Sequence, residues 1–297
     1  MHDDLKRQFK ERDRVVRAIS RNGLFRAAAV KSTAACKVAQ ERHNLDALGA
    51  MALGRALTAS SLMASFLKGE ERVIIEADGN GPIAFVYAES LQIGEVRGYL
   101  RVNHEPDTGA TSLLGNGRLK VSRILFDNRE PVTGIVELQR GDITTDLSHY
   151  LTQSEQIPSV VVIDVDMNTD GTVHQAAGLI VQAMPGATPE DIFATYDAMT
   201  DLPRLAALLE EGCHPDEMLS RVLPGEIEIV ASTPVDFFCR CSMERFKAAL
   251  MTLGYDEIAS MEADGHNELI CQYCNEHYYL TGDDISDLKS TLLARRN

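Results

Sequence analysis

Four cysteines near the C-terminus constrain this chain more than any other feature: Cys239-Arg-Cys241 and Cys271-Gln-Tyr-Cys274, with 29 residues between the pairs. Each close pair can turn two sulfurs toward one point. Together they supply the four thiolates of a closed tetrahedral zinc site. A catalytic zinc keeps one position open for water, and this set leaves none. Thiolates are also what oxidants attack, so the set reads either as a staple for a small domain or as a redox switch. Geometry alone does not choose between the two. His266 and His277 lie nearby. They are read as non-ligands, because four sulfurs already complete the site.

Charge narrows the choice of partner. The net charge is −15 and uneven: about −2 over residues 1–186, −8 over 187–231 (ten acidic and two basic side chains) and −5 over 232–297. A nucleic-acid binder shows a basic face, because phosphate neutralisation dominates its affinity. The acidic surroundings of the cysteines argue against nucleic acid as a partner. The N-terminus is charged at once and has no apolar h-region, so no signal peptide is expected. No apolar run is read as a membrane span, which needs ~18 residues. A cytoplasmic chain with no membrane partner is expected, and in a reduced cytosol this cysteine pattern favours metal or redox chemistry over disulfides.

The chain is expected to be α+β in three parts: a core domain over 1–186, an acidic helical linker over 187–233, and a zinc-binding domain over 234–297. Leu5, Phe9, Val15, Val16 and Ile19 suggest a helix over 4–19 with a narrow apolar stripe. Leu24–Val30 reads as a strand, and a helix follows with Ser32 as its cap. Asn44 is read as the cap of a longer helix through Leu67. From Val73 the period changes. Val73–Ala77 and Ile83–Tyr87 flank Asp78-Gly79-Asn80-Gly81-Pro82, a β-hairpin pattern. Strands are expected over 94–102, 119–126 and 134–138, a helix over 142–152, and a hairpin from 160–165 and 176–184. The sheet is therefore expected to be largely antiparallel. Asp166-Met167-Asn168-Thr169-Asp170-Gly171 imitates a calcium loop, but Ala177 stands where the bidentate glutamate belongs, so a turn is expected.

Residues 187–231 read as three short helices. The first opens at Thr188-Pro189-Glu190-Asp191, with a cap, a proline at N1 and acids in the first turn. Short, acidic helices are marginal alone and need a packing partner. This segment reads either as a plain connection or as one poised to unfold when its support is lost. Cys36 reads as a small buried residue among alanines. Cys213 reads as an exposed or half-buried thiol and stays unassigned. His104, His149 and His174 stand isolated. No nucleophile elbow, paired metal histidines or nucleophile–base set is present, so no enzyme activity is expected and no catalytic residue is assigned.

With these residues in view, the chain resembles the heat shock protein 33 family, the redox-regulated bacterial holdase chaperones. The resemblance rests on Cys239-Arg-Cys241-Ser242 with Cys271-Gln-Tyr-Cys274-Asn275 and Tyr278, supported by Ser154-Glu155-Gln156-Ile157-Pro158 and Gly178-Leu179-Ile180-Val181-Gln182-Ala183-Met184-Pro185. It implies one zinc held by Cys239, Cys241, Cys271 and Cys274 when reduced. On oxidation it implies disulfides Cys239–Cys241 and Cys271–Cys274, loss of zinc, a loosened linker and binding of unfolding client proteins. It also implies a homodimer in the active form. Two rivals stand beside it. A zinc-ribbon scaffold would bind partners constitutively and ignore oxidants. A thiol oxidoreductase would place Cys271-Gln-Tyr-Cys274 at a helix start, whereas Tyr278-Tyr279-Leu280 after it reads as a strand.

Overall fold

The computed structural model describes residues 11–106, 109, 111–126 and 130–296. Strands β1 (Arg14–Ser20) and β2 (Phe25–Lys31) lead to helices α1 (Thr33–His43) and α2 (Ala47–Ala64). Strands β3 (Arg72–Gly79), β4 (Ile83–Leu91), β5 (Glu95–Val102), β6 (Gly117–Ile124) and β7 (Val132–Glu137) follow. Helix α3 (Ile143–Gln153) then precedes β8 (Ser159–Met167) and β9 (Val173–Ala183). Three short helices come next: α4 (Pro189–Thr200), α5 (Leu205–Glu210) and α6 (Pro215–Val222). The chain continues through β10 (Ile227–Pro234), β11 (Asp236–Phe237), α7 (Met243–Leu250), α8 (Tyr255–Ala263), β12 (Glu268–Ile270), β13 (His277–Tyr279) and α9 (Gly282–Arg296).

The fold is α+β, as expected, and among the described residues the strands lie in three sheets. One is five-stranded in the order β10-β1-β2-β9-β8, one six-stranded in the order β11-β5-β4-β3-β6-β7, and one the β12–β13 hairpin. Among the described residues, pairing is antiparallel except for β11 on β5. Helix α2 explains why two sheets share one core. Its only charge is Arg55, and small and large apolar residues alternate around it, so it has almost no face to offer water. By length and composition it would pass for a membrane span, unlike the sequence expectation, yet most of it is buried. Leu53, Leu57 and Leu62 are fully buried between the sheets. The approach is close enough that a Cβ at Gly178 on β9 would meet Thr58 Cγ2 at 2.7 Å and Leu62 Cδ1 at 2.9 Å.

The chain divides into two compact units, Met1–Phe238 and Cys239–Asn297. The sequence placed this boundary at 233/234. The difference arises because Asp236–Phe237 pairs with Glu95–Val96 on β5, a long-range contact. Within the first unit, residues 187–223 lie on the five-stranded sheet. Met199, Leu205, Leu208, Met218, Leu219 and Val222 cover Val16, Ala18, Phe25, Ala27, Leu179 and Val181 on the face away from α2. Charges hold the same segment. Arg14, nearly buried, reaches Asp216 at 2.5 Å, and Arg204 Nη2 bridges Asp164 and Asp166 at 2.8 Å each.

Three local expectations change. Residues 14–20 are a strand rather than helix, because β1 pairs with both β2 and β10 and buries side chains on both faces. Leu5 and Phe9 lie outside the described residues. Asn44 caps the end of α1 in a left-handed conformation (φ 48°), and Asp46 starts α2 by accepting from the Gly49 N–H at 2.8 Å. Ser32 makes no cap bond at α1. Its hydroxyl pairs with Thr58, and the Asp13 carboxylate takes the Ala35 N–H at 2.9 Å instead. The expected Thr188 cap is present as a reciprocal box with Asp191.

Candidate metal centre

In the second unit, Glu268–Ile270 and His277–Tyr279 pair as a short hairpin, and the residues between them form the cysteine turn. The Cys274 and Asn275 N–H groups both point back to the Cys271 carbonyl, at 3.3 and 2.7 Å, and the Cys271 N–H donates to Glu276 at 2.9 Å. Asn275 turns the chain at φ 56°, a left-handed conformation that asparagine tolerates. The other pair precedes α7. Ser242 caps that helix by accepting from the Arg245 N–H at 3.3 Å.

These two knuckles bring Cys239, Cys241, Cys271 and Cys274 together, with all four sulfurs within 4.8 Å of one another. The Cys239–Cys271 sulfurs are 3.8 Å apart and the Cys241–Cys274 sulfurs 3.4 Å. A tetrahedron of sulfurs at the Zn–S length of about 2.3 Å has edges of about 3.8 Å. The donor set therefore fits a zinc-sized ion, and none of the four is joined in a disulfide. Electrostatics agree. Burial, followed by the neighbouring Cys239 sulfur, pushes the Cys271 thiol up, and burial pushes Cys274 up strongly. Thiols crowded this way cannot all ionise without a cation among them.

Tyr278 completes the surroundings. Its hydroxyl sits 3.2 Å from the Cys241 sulfur and donates to the Cys241 carbonyl at 3.2 Å. Its ring packs on Phe246 of α7 at 5.2 Å between centroids, which ties the hairpin to the helix. The sequence supplied Tyr278 as part of a motif but gave no sign of this contact. His277 pairs with Glu268 at 2.8 Å, and neither His266 nor His277 is in the sulfur group. Cys271-Gln-Tyr-Cys274 occupies a hairpin turn rather than a helix start, the opposite of what a thioredoxin-like reductant requires.

The other two cysteines sit apart. Cys36 is buried among Ser32, Gly54 and Thr58, and burial, with Asp13 adding to it, pushes its thiol up to about 12. Cys213 is buried under the linker helices, not exposed or half-buried as expected, and burial raises its thiol too. His174 is not isolated. It meets Glu210 of α5 at 2.5 Å, with Asp166 beside them, and the three form a second small group of potential donors.

Comparison with known proteins places these features in context. A family model described as Hsp33 protein matches residues 13–281. The 33 kDa chaperonin of Desulforamulus reducens is 38% identical over 92% of this chain and 96% of its own length. That of Bacillus subtilis is 36% identical over 93% of this chain and 98% of its own. Among solved structures, the Thermotoga maritima 33 kDa chaperonin (heat shock protein 33 homolog) superposes with a TM-score of 0.84 and 28% identity. That match covers 95% of this chain and 99% of the other.

Proposed function

This chain belongs to the Hsp33 family, and from that premise we propose that it is a redox-regulated holdase chaperone. The observation that carries the reading is the cluster of Cys239, Cys241, Cys271 and Cys274, at zinc-like spacing, in a unit with a small core of its own. Bound zinc would keep the four sulfurs ionised and tie the two knuckles together, a contribution of ~10–16 kcal/mol in small modules.

The chain's own residues do the switching. In the oxidised form, Cys239 pairs with Cys241 and Cys271 with Cys274. Each pair gives up two electrons, so one peroxide is reduced to water per disulfide formed. Sulfurs bonded to each other no longer serve as a four-thiolate donor set, and the second unit loses its main support. The linker helices, short and acidic, then leave the five-stranded sheet. This uncovers Phe25, Leu179 and Val181 together with the apolar side chains of α4 to α6. Unfolding clients bind these surfaces, while the net charge of −15 keeps the loaded chaperone dispersed. Reduction restores the thiols. The protein acts in the cytoplasm, without nucleic acid or membrane, as a homodimer when active.

The test is to treat the reduced protein with peroxide or hypochlorite and follow zinc release alongside aggregation of an unfolding client. Zinc release and suppression of aggregation should rise together and reverse with dithiothreitol. Zinc loss with no change in aggregation sinks the proposal. Suppression that ignores oxidant points instead to a constitutive scaffold.

A further inference from the structure

Helix α4 does not seal the sheet it covers. Between it and the strands lies an open cavity of about 410 Å³, inside the ~300–1,000 Å³ range of small-molecule sites. Phe25, Val160, Val181 and Ala183 of the sheet form its floor, and Pro158 and Thr152 lie on one side. The opposite wall is α4, which contributes Ile192, Phe193, Tyr196 and Asp197. Phe193, Tyr196 and Asp197 stand at i, i+3 and i+4, which puts two aromatic rings and one carboxylate on the same helical face. Phe193 is 68% and Tyr196 53% exposed. Among the described residues no cation pairs with Asp197, and α4 itself carries acids but no Lys or Arg.

We propose that this cavity binds a compact aromatic amine. The ring enters the apolar floor. The protonated nitrogen lies at the rim, where aromatic faces and a carboxylate together favour an ammonium group. An anionic ligand would meet Asp197 within the most acidic segment of the chain. One wall of the cavity, five of its twelve lining residues, belongs to α4 of the linker, so the cavity exists only while α4 is docked. A ligand that binds only the docked state must stabilise it by mass action. The amine therefore opposes release of the linker. The binding stands independently of the redox reading, and only its effect on chaperone activation rests on that reading.

The chain contains no tryptophan, so indole fluorescence reports a ligand without background. The probes are tryptamine, neutral 3-methylindole and anionic indole-3-acetate, titrated by fluorescence anisotropy into the reduced, zinc-loaded full-length protein. Tryptamine should bind roughly tenfold tighter than 3-methylindole, and indole-3-acetate weakest. Asp197→Asn should erase the preference for the amine while retaining 3-methylindole. Phe193→Ala, at an exposed position that leaves the fold intact, and Ala183→Phe, which fills the floor, should weaken all three. Saturating tryptamine should slow proteolysis within residues 187–223 of the wild type and leave it unchanged in Phe193→Ala. The absence of binding, equal affinity for the three probes, or affinity untouched by both Phe193→Ala and Ala183→Phe overturns the site. Binding without protection of 187–223 overturns the coupling. These readings use no oxidant, so their failure is separate from failure of the redox proposal.

Discussion

Leu53, Leu57 and Leu62 have no solvent contact in a core that two sheets and a central helix enclose, whereas the second unit has a small core of Leu250, Ile258, Leu280, Ile285, Leu288 and Leu292, with a few partly buried residues such as Met243 and Leu269 packed against it. The first unit is large enough for apolar burial to hold it. The second has 59 residues (239–297), a size at which a single core rarely supplies more than ~3–5 kcal/mol. On the proposed reading its fold leans instead on a metal held by four sulfurs. The lesson, on the proposed reading, is that one chain places its oxidisable sulfurs where loss of a few bonds would cost a whole unit. Its remaining thiols, Cys36 and Cys213, are buried where ionisation is suppressed.

The sharpest way to break that contrast is to remove the sulfur set. Cys271→Ser, or chelation of the wild type, should abolish metal binding and amide-exchange protection in α7 to α9, while β1 to β9 keep theirs. Protection that persists in α7 to α9 without metal would mean the small core suffices. A core change in the first unit should behave in the opposite way. Leu57→Ala should cost about 2–5 kcal/mol in urea unfolding through the lost contacts and the cavity left behind. Metal content should stay the same.

A third test uses Asp13, whose carboxylate caps α1 from outside the helix. Burial raises its pKa to about 6, against the lowering effect of the Ala35 N–H. A carboxyl whose folded pKa exceeds its unfolded value near 3.9 binds its proton more tightly in the fold. Its contribution is therefore most favourable below pH 4 and is lost as pH rises to about 6. Relative to Asp13→Asn, which keeps an acceptor oxygen, the wild type should lose about 2–3 kcal/mol across that window. Calorimetry at several pH values measures the difference, and parallel curves would remove Asp13 from the account. The smallest effect belongs to the linker: Thr188→Ala should cost about 1 kcal/mol. It should appear chiefly as faster exchange within 189–200, with only a small fall in the first unit's urea midpoint.

What the sequence revealed follows from how local each signal is. The cysteine pairs and the Thr188–Asp191 box are set by neighbours three residues away or fewer, and their spacing carries the geometry. The β3–β4 hairpin is equally local. Val15 and Val16 mislead because a strand buried on both faces loses its alternation, and together with the exposed Ile19 their spacing imitates a helix. Asp13 at α1, β11 on β5, and His174 beside Glu210 depend on partners 22 to 141 residues distant. No periodicity announces such contacts. Asn44 is ambiguous in a simpler way, since asparagine serves both helix starts and left-handed helix ends.

Strand order has one further consequence. The segment from Met184 to Glu226 leaves the five-stranded sheet at β9 and re-enters it at β10, three strand positions away, or about 14 Å at the usual strand spacing. Its 43 residues are therefore a loop fixed at both ends. Undocked as a flexible coil, it would span about 35–40 Å root-mean-square. Its apolar side chains would then remain at millimolar effective concentration over the sheet they left. On the proposed reading, any client would compete with that internal ligand at every moment. Holding would then be won by many weak contacts at once, and letting go would need only the loop to close again.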